Sequence, residues 1–257
     1  MRYFCFVTYD GSAYFGWQKQ INEISVQQII EEKLSKILNT PTKIYGSGRT
    51  DAKVHALKQS FHFDVEKDID KDRLLYSMNQ ILPEDIKLLS IDVVNDDFSA
   101  RFNVKEKTYV YRFNIGEEDI FLRNYEYQIK QNIDIEKIKS CLHLFVGKHN
   151  FKAFTRKKED IDNYIREIFS FELIHIEKGH YAFVIKGNGF MRYMVRMIVG
   201  LLFEIGIGRE NESMINIALS EPETVLPYIA KPYGLYLYDI KYWCRYYFEN
   251  IIYLIEL

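Results

Sequence analysis

A chain of 257 residues, 47% hydrophobic and 27% charged, is long enough to bury the core of one large globular domain or two ordinary ones. Its formal net charge of −2 excludes a uniformly basic nucleic-acid binder, and no apolar run reaches membrane-spanning length, the run over 194–207 being broken by Arg196, Glu204 and glycines. Three scattered cysteines, Cys5, Cys141 and Cys244, have no CxxC spacing, which argues against a zinc site and for reduced thiols in the cytoplasm.

Residues 2–8 are aromatic and β-branched and read as a strand rather than a signal peptide, ending at the turn signal Asp10-Gly11. Ser25 with Gln28 three residues later forms a capping box ahead of an apolar stripe from Val26 to Leu38, which Thr40-Pro41 stops. A short strand over 42–45 leads into the loop 46–56. A strand over 59–65, a helix over 70–80 and a strand over 86–94 follow, so the first part reads β-α-β-β-α-β, the ferredoxin-like order.

Residues 98–102 form a junction, after which Tyr109, Tyr111, Phe113 and Ile115 alternate with Thr108, Val110, Arg112 and Asn114 in a strand with an aromatic face. Core packing is the default reading of that face. A helix over 134–145, a hairpin over 166–186 around Lys178-Gly179, and an apolar helix over 194–205 with Gly206 as its stop come next. A helix near 211–219 and a strand over 234–242 complete the second half, and the apolar tail 244–257 reads as a sheet edge or a subunit contact. The expected fold is therefore α+β: two ferredoxin-like halves, 1–104 and 105–257, sharing one continuous, mostly antiparallel sheet with a central cleft and helices on one side.

Charge is unevenly spread. Lys148, Lys152, Arg156, Lys157 and Lys158 are interleaved with Phe151 and Phe154 and include no acid, and Lys186, Arg192, Arg196 and Arg209 face only Glu204. Cations mixed with aromatics suit phosphates and unstacked bases, although a solvated basic loop would look the same.

The loop Gly46-Ser47-Gly48-Arg49-Thr50-Asp51-Ala52-Lys53 brings glycines, a cation, a hydroxyl and a carboxylate together. Its glycines permit positive φ or a close approach to a neighbour. It lacks the third glycine of a dinucleotide fingerprint and the GK[ST] of a phosphate loop. Asp51 fits either a turn whose carboxylate caps local N–H groups or a lone catalytic carboxylate kept ionised by a cation. No G-x-S-x-G elbow or second carboxylate accompanies it, and His55 and His62 have no metal-ligand spacing. Arg196, on an otherwise apolar helix, needs either a carboxylate partner in a cleft or a route to the surface.

Six blocks carry a resemblance. They are Tyr9-Asp10-Gly11-Ser12 through Gly16-Trp17-Gln18, Gly46 to Ala52, Phe98-Ser99-Ala100-Arg101-Phe102, Lys107 to Tyr111, Gly187-Asn188-Gly189-Phe190 with Met194-Val195-Arg196, and Gly234-Leu235-Tyr236-Leu237. In order, they resemble the blocks of TruA-type tRNA pseudouridine synthases. The resemblance implies the pseudouridine synthase fold and conversion of tRNA uridines, in the anticodon stem-loop region, to pseudouridine. It implies no cofactor and no metal, and a cytoplasmic homodimer with tRNA laid across both subunits. It assigns Asp51 as the catalytic carboxylate, Tyr109 as the residue stacked on the target base, Arg49 as the nucleotide-flipping arginine and Arg196 as the partner of Asp51. Lys53 stands where the family commonly has Gly, so the loop either needs no positive φ there or differs in shape. The alternatives are an RNA-binding or tRNA-folding module without turnover, or a paralogue acting on another position or another RNA.

Overall fold

The computed structural model describes residues 1–156 and 163–243. Lys157, Lys158, Cys244 and the expected tail element 244–257 lie outside the described residues.

Strand β1 (Arg2–Tyr9) alternates as a two-faced strand should, with Tyr3, Cys5 and Val7 in one core and Phe4 and Phe6 in another. Helix α1 (Val26–Leu38) begins where Ser25 accepts from the Gln28 N–H, and Asn39 at φ 51° ends it just before the expected stop. Strand β2 (Tyr45–Gly46) is only two residues long, and β3 (His55–Asp64) starts four residues before the expected strand over 59–65. Helix α2 (Lys71–Ile81), capped by Asp70, and β4 (Ile86–Val94) close the first half.

The second half runs β5 (Val104–Asn114), β6 (Tyr127–Gln128), α3 (Ile135–Cys141) and β7 (Gly147–Asn150), then β8 (Ile165–Glu177) and β9 (His180–Gly187). Helices α4 (Met194–Ile207) and α5 (Ser213–Ser220) and strand β10 (Leu235–Tyr242) follow. The expected helix over 134–145 is α only to Cys141 and continues as a 3₁₀ turn over Leu142–Phe145. Gly206, expected to stop α4, lies inside it; the left-handed cap is Gly208 at φ 85°.

These strands form one ten-stranded sheet of order β4-β1-β3-β10-β5-β9-β8-β7, with β2 on β3 and β6 on β5. Within it β4-β1-β3-β2 and β10-β5-β9-β8 repeat the same internal order. Among the described residues, only β10–β3 and β5–β6 are parallel. The buried faces of α1, α2, α4 and α5 all pack into a single large cluster on one side of the sheet. The opposite side carries two small clusters, around Phe4, Phe6 and Phe98 and around Val110, Ala182 and Val184.

The seam decides the position of the site. Strand β10 pairs Leu237 with Ala56 of β3 on one side and with Tyr109 of β5 on the other, and Tyr109 pairs with Ile185. Ala56, Leu237, Tyr109 and Ile185 therefore cross the sheet in one row. At about 4.8 Å per strand, the loop that delivers Asp51 enters β3 roughly 10 Å from Tyr109.

Helix α4 is clamped from outside the sheet. Arg196 O accepts from Ala230 N at 2.9 Å, and a Cβ on Gly200 would stand 2.9 Å from Ile229 N and 3.0 Å from Ala230 N. Gly200→Ala therefore pushes backbone against backbone. It is expected to lower the unfolding free energy by about 1–3 kcal/mol in urea denaturation despite the better helix propensity of Ala.

Candidate active site

A cavity of about 1220 Å³ opens where the two parts of the sheet meet, above the roughly 300–1,000 Å³ typical of small-ligand pockets. Loop 46–51, Tyr109 of β5 and the residues 192–196 at the start of α4 line it.

Loop 46–54 is fixed from several directions. Thr50 O accepts from Trp17 N at 3.2 Å, Thr50 Oγ1 meets the Tyr9 hydroxyl at 2.8 Å, and Ser47 Oγ donates to Gln59 Oε1 at 2.6 Å. The Lys107 ammonium donates to Ser47 O at 2.9 Å. Of the two uses expected of Gly46 and Gly48, positive φ is not the one taken up: the positive φ values in this region belong to Gly16, at 89°, and Lys53, at 64°. What Gly46 and Gly48 provide is proximity. A Cβ on Gly46 would stand 2.5 Å from the Trp17 indole nitrogen, and one on Gly48 would stand 2.6 Å from Lys107 Nζ. Lys53 occupies a left-handed position in which its N–H donates to Tyr14 O at 3.1 Å, so the alternative in which the loop needs no positive φ there does not hold: the loop needs it, and a lysine supplies it.

Of the two readings of Asp51, local cap or cleft carboxylate, the geometry selects the second. Arg196 Nη1 donates to Asp51 Oδ2 at 3.0 Å, across 145 residues of sequence, with the two side chains 11% and 14% exposed. Arg196 is held in turn by Nε donating to Ala230 O at 2.8 Å. Arg192 Nε lies 3.8 Å from Asp51 Oδ1, a contact that the sequence reading did not single out. Its signal was available in the spacing, two cations four residues apart flanking the start of an apolar helix. Between them Tyr193 sits at φ 67°, a strained setting for an aromatic residue, with the guanidinium groups of Arg192 and Arg196 at 5.0 and 5.5 Å from its ring centre.

Burial pushes the Asp51 carboxyl above the usual carboxylate range, while Arg196 first and Arg192 second pull it back. The Tyr109 phenol is 9% exposed, and burial, with Tyr9 and Asp51 nearby, pushes its ionisation upward, so it stays neutral. Its ring meets Phe190 edge to face, with centroids 5.2 Å apart. Burial, helped by Arg101, pushes the Lys107 ammonium down to about 8. Arg49 is exposed at the rim, its Nε donating to Gln18 Oε1 at 3.1 Å. The structure thus gathers Asp51, Arg196 and Tyr109 around one cavity and leaves Arg49 on its edge.

Two other sequence candidates serve the framework. His55 accepts from Gly11 N at 3.1 Å and meets Asn124 O at 2.9 Å, joining two loops. In the basic segment, Lys152 pairs with Glu223, and Arg156 donates to Pro227 O at 3.1 Å.

A sequence profile of the family described as tRNA pseudouridine synthase matches residues 6–103 and 142–243. Among curated proteins, the tRNA pseudouridine synthase A of Exiguobacterium sibiricum is 37% identical over 243 residues, covering 94% of this chain and 96% of that one. Those of Caldicellulosiruptor saccharolyticus and Anoxybacillus flavithermus are 35% and 36% identical, covering 92% and 93% of this chain and 97% of each relative.

The left-handed lysine gives a direct test of the loop. Lys53→Gly removes the steric cost of φ 64° and is expected to raise the unfolding free energy by about 0.5–1 kcal/mol, less than the full strain because Gly also loses more entropy on folding. Denaturant unfolding of the two proteins, at equal m-value, measures it.

Proposed function

The chain belongs to the tRNA pseudouridine synthase family and isomerises uridine to pseudouridine in tRNA, and we propose that it does so with Asp51 as the reacting carboxylate. The observation that carries this assignment is the Asp51–Arg196 pair, nearly dry, in a cavity walled by Tyr109.

Uridine and pseudouridine are isomers. The bond from the sugar C1′ to N1 of uracil breaks, a bond from C1′ to C5 forms, and the C5 proton is lost as N1 gains one, so no oxidant or group donor is needed. Asp51 serves as an anion that attacks the sugar or takes a proton from it while the uracil detaches and turns. Such chemistry requires the nucleotide to leave its stack. Tyr109, its edge fixed by Phe190, gives the extruded base a neutral aromatic face, and Arg49 at the rim assists the flipping. Arg196 keeps Asp51 ionised against the cost of burial. Residues 1–104 then supply the carboxylate loop, and residues 105–257 supply the stacking tyrosine and the arginine helix.

The reading extends to a cytoplasmic homodimer carrying tRNA across both subunits, with uridines of the anticodon stem-loop region as targets. Family resemblance supports it.

Asp51→Asn is nearly isosteric and is expected to cut pseudouridine formation by at least about a thousandfold while tRNA affinity changes severalfold at most. Chemical mapping of pseudouridine in tRNA transcripts, with filter binding alongside, reads both; modification that survives in this variant removes Asp51 from the reaction. Removing Arg196 leaves only the more distant Arg192 to oppose burial at Asp51, so its ionisation moves further up. In Arg196→Gln the acid limb of the single-turnover pH–rate profile is expected to shift to higher pH, and a limb that stays in place removes Arg196 from the control of Asp51 ionisation.

A further inference from the structure

The block 98–102 carries no role in the site described above, yet it is built as a rigid mount. Ser99 Oγ accepts from Arg101 N and Phe102 N, both at 3.3 Å, and Asn103 Oδ1 accepts from Ser99 N at 2.6 Å. Ala100 N donates to His62 Nδ1 at 3.2 Å, and Ala100 O accepts from the Tyr242 hydroxyl at 2.8 Å. Phe98 and Ala100 are buried in the core on the sheet face away from the helices. On this mount Phe102 is 80% exposed, with the Arg101 guanidinium 5.4 Å from its ring centre, and both residues line the cavity that holds Asp51 and Tyr109.

A second exposed aromatic stands on the same support. Tyr45, 53% exposed and also lining the cavity, stacks on His62 with centroids 5.2 Å apart and planes 20° from parallel. His62 is the side chain that accepts from Ala100 N, so one buried histidine anchors both rim aromatics. Packing inside the protein does not account for ring faces left in water on hydrogen-bonded backbone. Flat π-faces on a cavity of about 1220 Å³ whose lining also includes Arg49 and Arg101 match the chemistry of unpaired bases and their phosphates.

We propose that Phe102, with Arg101, and Tyr45 are stacking platforms for unpaired bases that flank the uridine held against Tyr109. The proposal rests on the tRNA reading above and adds the subsites for neighbouring nucleotides. Phe102 takes one base by its free face, while Arg101 answers the adjoining phosphate. The depth of the cavity is left to the target base and the rim to its neighbours.

The test measures the affinity of unmodified tRNA transcripts on the Asp51→Asn background, where turnover does not intervene. Phe102→Ala is expected to weaken binding about tenfold, as for the loss of one stacked base, and Phe102→Trp to restore it. The slope of log K against log salt stays unchanged in Phe102→Ala and falls by about one in Arg101→Gln, because only the second removes a phosphate contact. Phe102 is largely exposed, so its removal leaves the thermal midpoint in place and the affinities compare folded proteins. Phe102→Ala binding within twofold of its parent, or Trp failing to restore affinity, overturns the proposal. A wild-type protein that makes no pseudouridine would sink the functional reading instead, and the affinity series would still stand on its own.

Discussion

A carboxylate and a guanidinium, each largely out of water and 3.0 Å apart, set the terms for the rest of the site. Removing either charge from such a pair strands the other, at a cost of about 3–5 kcal/mol, so the fold has to deliver both to one place. Much of the local structure reads as a means to that end. Ala230 O holds Arg196 Nε, Arg196 O holds Ala230 N, and Gly200 lets the segment around residue 230 lie directly on α4. On the other side, Trp17 fills the space left by Gly46 and bonds Thr50 O, so the residue before Asp51 is fixed by backbone.

Delivery also depends on β10. It comes last among the described strands, yet it stands between β3 and β5, parallel to the first and antiparallel to the second. Without it the Asp51 loop and Tyr109 would belong to separate sheets with no fixed spacing. With it they share a register, and the distance between carboxylate and aromatic ring becomes a property of backbone hydrogen bonding. Because β2 ends after two residues, the starting end of β3 is left open for β10 to pair there.

Local rules were legible where local physics decides. The Ser25 cap, the strand over 86–94 and the alternation through Tyr109 could be read from sequence because each depends on neighbours within a few residues. Arg196 was legible as a charge in need of a partner, since an apolar helix offers it none. What escaped depended on contacts distant in sequence. Gly46 and Gly48 could be read as allowing positive φ or close approach, but the neighbours that make it close approach, Trp17 and Lys107, could not. The positive φ belongs to Lys53, a residue whose chemistry says nothing of left-handed backbone. The spacing of Arg192 and Arg196 was visible in sequence, but not the turn at Tyr193 that sets both cations on one carboxylate.

The net charge of −2 bears on how such a protein holds a polyanion. Affinity from counterion release scales with the number of phosphates met, and the available cations are partly committed: Lys152 to Glu223, Arg196 and Arg192 to Asp51. Long-range attraction is correspondingly weak, and binding has to draw more on contacts that salt does not screen. Aromatic faces are such contacts. On the proposed reading, the exposure of Phe102 and Tyr45 at the cavity mouth answers the same constraint as the near-dry Asp51–Arg196 pair inside: charge is concentrated at the proposed reacting carboxylate, and flat aromatic surface is offered around it.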